Sequence, residues 1–296
     1  KMIIFFTLLV STFTEQDHIL QEMLGKKYPS KSVEVINTGV SATTARNHLA
    51  TIVNILNYEP DIIIILMGGN DWHYHIKISQ NPKELSPNLI SRIRNHIPVA
   101  LMENLATLRT ATRFDNTLIA ELYKKIRSKF KTKENSEGKT LYQNFAGGTI
   151  TTMMGSLNRP EKREFYPKQV LPTYKYLVSR IGNLCKNNSI NCIFANQPTA
   201  YKKAATDEMK SRFWVTPMSE VYTLSFDSLV HVARIYNEYL PAYANKNKHT
   251  GCELSNQIDP TLEYFWDDLH FTIKGANKVG EVIFGCVMKT LATHTD

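Results

Sequence analysis

The sequence predicts a layered α/β fold built on a parallel sheet, and three observations carry that expectation. Asp61 to Met67 (DIIIILM) is an apolar, β-branched run of the kind buried on both faces of a parallel sheet. Strand-like runs alternate with amphipathic helical stretches on either side of it, which implies right-handed crossovers between layers. The composition, 43% hydrophobic and 21% charged with 13 Gly and 12 Pro, is that of a globular protein and excludes disordered, collagenous and coiled-coil classes. At 296 residues the chain is long enough for one large domain, or one domain with an insertion, to bury a core without disulfides or metal.

The elements follow in order. Met2 to Val10 reads equally as a first buried strand and as the apolar part of an export signal, too short to span a bilayer. Because Lys1 stands first, we expect residues upstream, and export or membrane association stays open. Asp17 to Lys27 places Ile19, Leu20, Met23 and Leu24 on one helical stripe. Ser32 to Asn37 alternates as a strand, and a helix from about Thr44 to Leu56 turns Leu49, Val53 and Leu56 inward. Glu59-Pro60 stops that helix before the apolar run at 61–67. From Ile76 to about Pro167 the pattern becomes polar, basic and helical, broken by Pro82, Pro87 and Pro98, which reads as an insertion. The alternation resumes with a helix near Leu171 to Cys185, a strand Cys192 to Asn196 and a helix Asp227 to Tyr239. A last strand near Cys252 to Ile258 and a last helix Lys274 to Leu291 complete it.

The chain carries 35 Lys+Arg against 27 Asp+Glu, a net charge of +8. Between Lys77 and Lys133 twelve basic residues face four acidic ones, so the insertion holds the whole surplus. That is too little, on no marked face, for a dedicated nucleic-acid binder. A solvated helical face explains it, with a membrane-surface contact through the insertion left open. Cys185, Cys192, Cys252 and Cys286 form no C-x-x-C pair and have no histidine at ligand spacing, so we expect no zinc site. Buried thiols are favoured over a Cys185–Cys192 bridge, because Cys192 opens an apolar run and Cys286 lies on an apolar helix face.

Chemistry-bearing residues cluster at strand ends. The run at 61–67 leads into Gly68-Gly69-Asn70-Asp71, and ligands of parallel sheets bind outside the carboxyl ends of strands. Glycines there let a ligand approach the backbone, and Asn70 offers two amide donors, with Gly69 and Asp71 as flanking binding residues. Gly39 ends another strand on the same edge. In Asp267-Asp268-Leu269-His270 a carboxylate three residues before a histidine can hydrogen-bond the ring and leave its other nitrogen as a base. His73 and His75 read as a loop, Gln197 to Tyr201 as a crevice wall or a plain turn, and Tyr264, Phe265 and Trp266 as substrate contacts or core.

Together, Val35 to Gly39, Gly68 to Asp71 and Asp267 to Phe271 resemble, in this order, the SGNH superfamily of GDSL-type serine esterases and lipases. The resemblance covers most of the chain outside the insertion. It implies a flavodoxin-like three-layer α/β/α sandwich, one domain over 1–296 with the helical insertion at about 76–167. It also implies a Ser-His-Asp ester hydrolase acting without metal or cofactor, with His270 as base, Asp267 as its orienter, Gly39 and Asn70 as oxyanion donors, and a small-molecule or polymer ester, acylated carbohydrate or lipid, as substrate. The family's Gly-Asp-Ser turn is absent, and ungapped sliding puts Ile3 at the nucleophile. Three alternatives stay open: Ser11 at a shortened strand-to-helix turn is the nucleophile, the nucleophile lies upstream of this chain, or the lineage lost it. An O-acetyltransferase would use the same site, and a chain without the serine would be a binding module.

Overall fold

The computed structural model describes residues 2–7, 15–39, 43–80, 154–217 and 221–293, all within one compact unit of Lys1–Ser86 and Met154–Asp296. Its strands and helices run β1 (Met2–Thr7), α1 (Glu15–Lys27), β2 (Val33–Asn37), α2 (Ala45–Ile55), β3 (Ile62–Met67) and α3 (Gly69–Gln80). After residue 153 come β4 (Glu161–Arg163), α4 (Pro172–Asn187), β5 (Asn191–Asn196), β6 (Tyr222–Leu224), α5 (Phe226–Lys246), β7 (Thr250–Cys252) and α6 (Ile273–Ala292).

Five parallel strands form the central sheet in the order β2-β1-β3-β5-β7. Ile64 of β3 stands between Phe6 of β1 and Ile193 of β5, and all six residues of β3 are buried. Burial on both faces is why this strand shows no alternation; each such side chain contributes about 1.5–3 kcal/mol. From β1 the chain crosses one way to β2 and afterwards the other way, so right-handed connections put α1 on one face and α2, α4 and α5 on the other. The last helix, α6, returns to pack against α1. The architecture is the three-layer, flavodoxin-like sandwich, and its strand order reverses between β1 and β3, the point outside whose carboxyl ends sheets of this kind bind ligands.

Helix starts are set by short polar side chains. The Thr272 hydroxyl accepts from Gly275 N–H at 3.1 Å to begin α6, and the Ser225 hydroxyl accepts from Ser228 N–H at 3.2 Å to begin α5. Gly275 is required by close approach, since a Cβ there would lie 2.0 Å from the Tyr264 carbonyl oxygen.

Several expectations are corrected. In α2 the buried stripe is Ala45, His48, Leu49, Ile52 and Ile55, with Val53 half-buried. The helix read as 227–239 runs to Lys246 through Pro241, because packing on β5 and β7 outweighs the local break. The last strand is only Thr250–Cys252. His73 and His75 lie in α3, so the change of pattern at Ile76 falls inside a helix. Residues 81–153 of the expected insertion lie outside the described residues. Its described tail is not mainly helical: Glu161–Arg163 form β4, paired in parallel with β6, two strands too short to give a sequence signal.

The favoured free thiols are also corrected. Cys185 is bonded to Cys192 and Cys252 to Cys286. The second bridge ties β7 to α6, 34 residues apart in sequence but with Cα atoms at 5.9 Å, an adjacency that only the fold creates. Loop-closure entropy scales with the spacing. We therefore expect the Cys252→Ser, Cys286→Ser double variant to lose about 4 kcal/mol and the Cys185→Ser, Cys192→Ser variant about 2.5 kcal/mol in urea unfolding. The reverse order would contradict this account.

Candidate active site

The site grows from the end of β3. Gly68 leaves the strand with φ 129°, a conformation that strains any other residue, and α3 begins at the next position, Gly69. The glycine-rich stretch is therefore a strand-to-helix turn, and Asn70 and Asp71 lie in the first turn of α3. The Asn70 side-chain amide donates to the Thr43 carbonyl at 2.9 Å. Both oxygens of Asp71 accept from the Ala45 N–H at 3.1 Å, the first residue of α2. The start of α3 thus fastens the loop that follows Gly39. Gly39 itself donates its N–H to Asn37 Oδ1 at 2.8 Å, so this expected oxyanion donor is engaged within its own turn.

Asp71 corrects the expectation of a ligand-facing residue. It is buried and clamps a helix start, and burial pushes its carboxyl up to about 7 against the opposing effect of the Ala45 N–H. Gly69 is buried as well, as the first residue of the helix.

The second half of the site is a hairpin before α6. Phe265 and Phe271 form an antiparallel bridge with ring centroids 5.2 Å apart, both buried, and Trp266 N–H donates to the His270 carbonyl at 2.8 Å. Of the three aromatics before Asp267, Phe265 is core whereas Trp266 stays 38% exposed. These anchors present Asp267-Asp268-Leu269-His270 at the carboxyl edge.

Asp267, with no exposed surface, accepts at Oδ1 from the N–H groups of Leu269 (2.9 Å) and His270 (2.8 Å). Its Oδ2 lies 2.7 Å from His270 Nδ1 and accepts from the Trp214 indole N–H at 2.7 Å. Against a carboxylate, Nδ1 must carry the ring proton, which leaves Nε2 as the basic nitrogen. Burial would raise Asp267, but the His270 ring and the backbone donors outweigh it and hold the carboxyl below its usual value. Burial would lower His270; the hydrogen bond and charge of Asp267 reverse that and raise it.

Asp268 faces the other way. Its Oδ2 accepts from Tyr201 O–H (2.6 Å), Val215 N–H (2.8 Å) and Trp214 N–H (3.2 Å), and its backbone oxygen accepts from Thr199 O–H and Ala200 N–H. Burial and the neighbouring Asp267 charge raise its carboxyl. The segment Gln197 to Tyr201, read as a crevice wall or turn, is thus a buried support for this hairpin.

Gly39 follows β2, Asn70 follows β3, and Asp267 and His270 dock on the segment after β5, so all stand at the carboxyl edge of one sheet. Ser11 follows β1 in sequence and lies outside the described residues. Sequence reasoning missed Trp214, because the stretch 211–217 has no periodicity and no motif, and it read Tyr201 only as part of a wall or turn; neither segment signals an aspartate partner. It also missed that His73 lies half-buried in α3, where desolvation pushes its ring down to about 4.

Residues 11–153 match the family described as GDSL-like Lipase/Acylhydrolase, as the resemblance read from the motifs expects. The match ends before Asp267 and His270. At the level of the family it supports ester hydrolysis, with small-molecule or polymer esters as the substrate class. No curated protein matches the chain. Among solved structures the chain is similar to an acetyl xylan esterase at 11% identity and TM-score 0.47, covering 97% of this chain and 100% of that one. An acetyl xylan esterase variant from Geobacillus stearothermophilus is 10% identical with TM-score 0.44, over 97% and 94% of the two chains. Phospholipase A1 from Streptomyces albidoflavus NA297 is 11% identical with TM-score 0.42, over 97% and 98%.

Asp71 gives the site a pH signature. Its folded value, about 7, lies above that of an unfolded carboxyl, so its contribution is whole below about pH 4 and is lost as pH rises through 7. Relative to Asp71→Asn, the natural chain should lose stability between pH 5 and pH 8, read from urea midpoints. A difference that stays constant across that range would show that Asp71 does not titrate there.

Proposed function

We propose that this chain, tied by residues 11–153 to the GDSL-like lipases and acylhydrolases, is a metal-independent serine ester hydrolase. The observation that carries the reading is the Asp267–His270 pair, whose 2.7 Å contact holds the ring proton on Nδ1 at the carboxyl edge of the sheet. In this reading Ser11 attacks the ester carbonyl while His270 Nε2 takes the hydroxyl proton. The tetrahedral oxyanion is met by the second amide hydrogen of Asn70 and by Gly39 N–H, which exchanges its bond to Asn37 for the ligand. Collapse expels the alcohol, which receives the proton from His270, and leaves an acyl-serine. Water then attacks with His270 again as base, releasing the acid and restoring the serine.

Asp267 holds the imidazole and stabilises its charge without itself becoming protonated, as its saturation with donors requires. Two features of the chain bear on the reading's setting. Paired cysteines fit an oxidising compartment. Among the described residues no helix is long and apolar enough to cross a membrane. The basic stretch at 77–133 remains a proposed surface for anionic partners.

The test is hydrolysis of p-nitrophenyl acetate. Asn70→Ala should lower kcat about 10²–10³-fold, the cost of one oxyanion donor. Ser11→Ala and His270→Ala should each remove about 10⁴-fold or more. Full activity in His270→Ala would sink the hydrolase reading, and activity that survives Ser11→Ala alone would move the nucleophile elsewhere. Because catalysis needs neutral His270, whose ring is raised by Asp267, kcat/KM should climb with pH through a midpoint above about 6.5. A midpoint below that value would mean another group governs the rate.

A further inference from the structure

We propose that Trp214 is a positioning residue of this site: its indole N–H, 2.7 Å from Asp267 Oδ2, and its ring, parallel to that of His270, together fix the imidazole with Nδ1 toward Asp267 and Nε2 toward the substrate. The inference rests on the reading of Asp267 and His270 given above and adds a residue to it.

Three observations carry it. The donors on Asp267 Oδ1 come from the same hairpin, two and three residues on, so they fix that oxygen only relative to its own loop. Oδ2, the oxygen nearer the ring nitrogen, takes its second donor from a separate segment, and that donor is the indole. The rings of Trp214 and His270 lie 7° from parallel with centroids 5.9 Å apart, so the two N–H groups converge on one carboxylate oxygen and a shift of the indole would be passed through that oxygen to the imidazole.

The indole is itself held from below. Asp268 accepts from the N–H groups of Trp214 and Val215, Tyr201 bonds the same carboxylate, and buried Phe213 packs edge-on against Tyr201 at 5.2 Å. Consecutive aspartates thus grip one segment, Asp268 by its main chain and Asp267 by its side chain. The charges bearing on His270 are those of Asp267 and Asp268. Tyr201 is kept protonated by burial and Asp268, and His73, beside Val215, is kept neutral by burial.

The indole donor stabilises the Asp267 carboxylate independently of the imidazole. Without it, the carboxylate leans harder on the His270 proton. In Trp214→Phe, which keeps an aromatic face and loses the N–H, the His270 midpoint read by NMR should rise by about one pH unit. Its kcat on p-nitrophenyl acetate should fall about tenfold with KM unchanged. In the natural chain the Trp214 indole N–H resonance should move with the same midpoint as the His270 ring, and Asp267→Asn should abolish that movement. An indole resonance flat through the His270 titration, or an unchanged His270 midpoint in a folded Trp214→Phe protein, would make Trp214 a packing residue and overturn the proposal. Should Trp214→Phe fail to fold, the titration of the natural chain decides. The NMR arms do not require turnover, so a His270→Ala variant with full activity would fail the hydrolase reading while leaving the Trp214 question answered.

Discussion

Burial of β3 on both faces governs where everything else stands. Ile62 to Ile65 have neighbours in the sheet on both sides, and every residue from Ile62 to Met67 is buried, so no residue of that strand can carry a polar function. The chain can change character only at the strand's end, where Gly68 turns out of the sheet and α3 begins at once. Polar groups that emerge there meet backbone at and just before the start of α2: Asn70 bonds Thr43 and Asp71 bonds Ala45. A buried carboxyl at this junction carries a desolvation cost, and the helix start it holds offsets part of it. The outcome is a rigid shelf at the point where the strand order reverses.

The other wall depends on two adjacent carboxylates with opposite surroundings. Asp267 is saturated with donors and sits against a ring that shares its proton, so it stays charged. Asp268 has neutral donors and a charged neighbour, so its proton is held more tightly. Adjacent residues in a hairpin face different ways, which lets one carboxylate hold the His270 ring while the other anchors the supporting loops. Losing either would be felt by both, because they share the segment at 213–215.

Polar clamps of this kind are a form of pre-organisation. In the proposed reaction, an imidazole whose tautomer is already set by its hydrogen bond would spend no free energy on reorientation. The two disulfides join α4 to β5 and β7 to α6, so each ties a strand of the sheet to a helix packed on it.

By itself, the sequence determined the layered fold and the motif positions. The run at 61–67 is too apolar for a surface element, the strands and helices alternate with clean periodicity, and a carboxylate three residues before His270 can reach the ring whatever the remote environment. These are local facts, and local facts survive folding. What only the tertiary structure decided were relations between distant segments: that Cys252 meets Cys286, that Asp71 faces a helix start rather than the crevice, that Gly39 N–H is held by Asn37, and that Trp214 reaches Asp267 across 53 residues. A side chain's type limits which bonds it can form, but its partner is set by which backbone segments the sheet and its crossovers bring within about 3 Å, and no spacing along the chain encodes that distance.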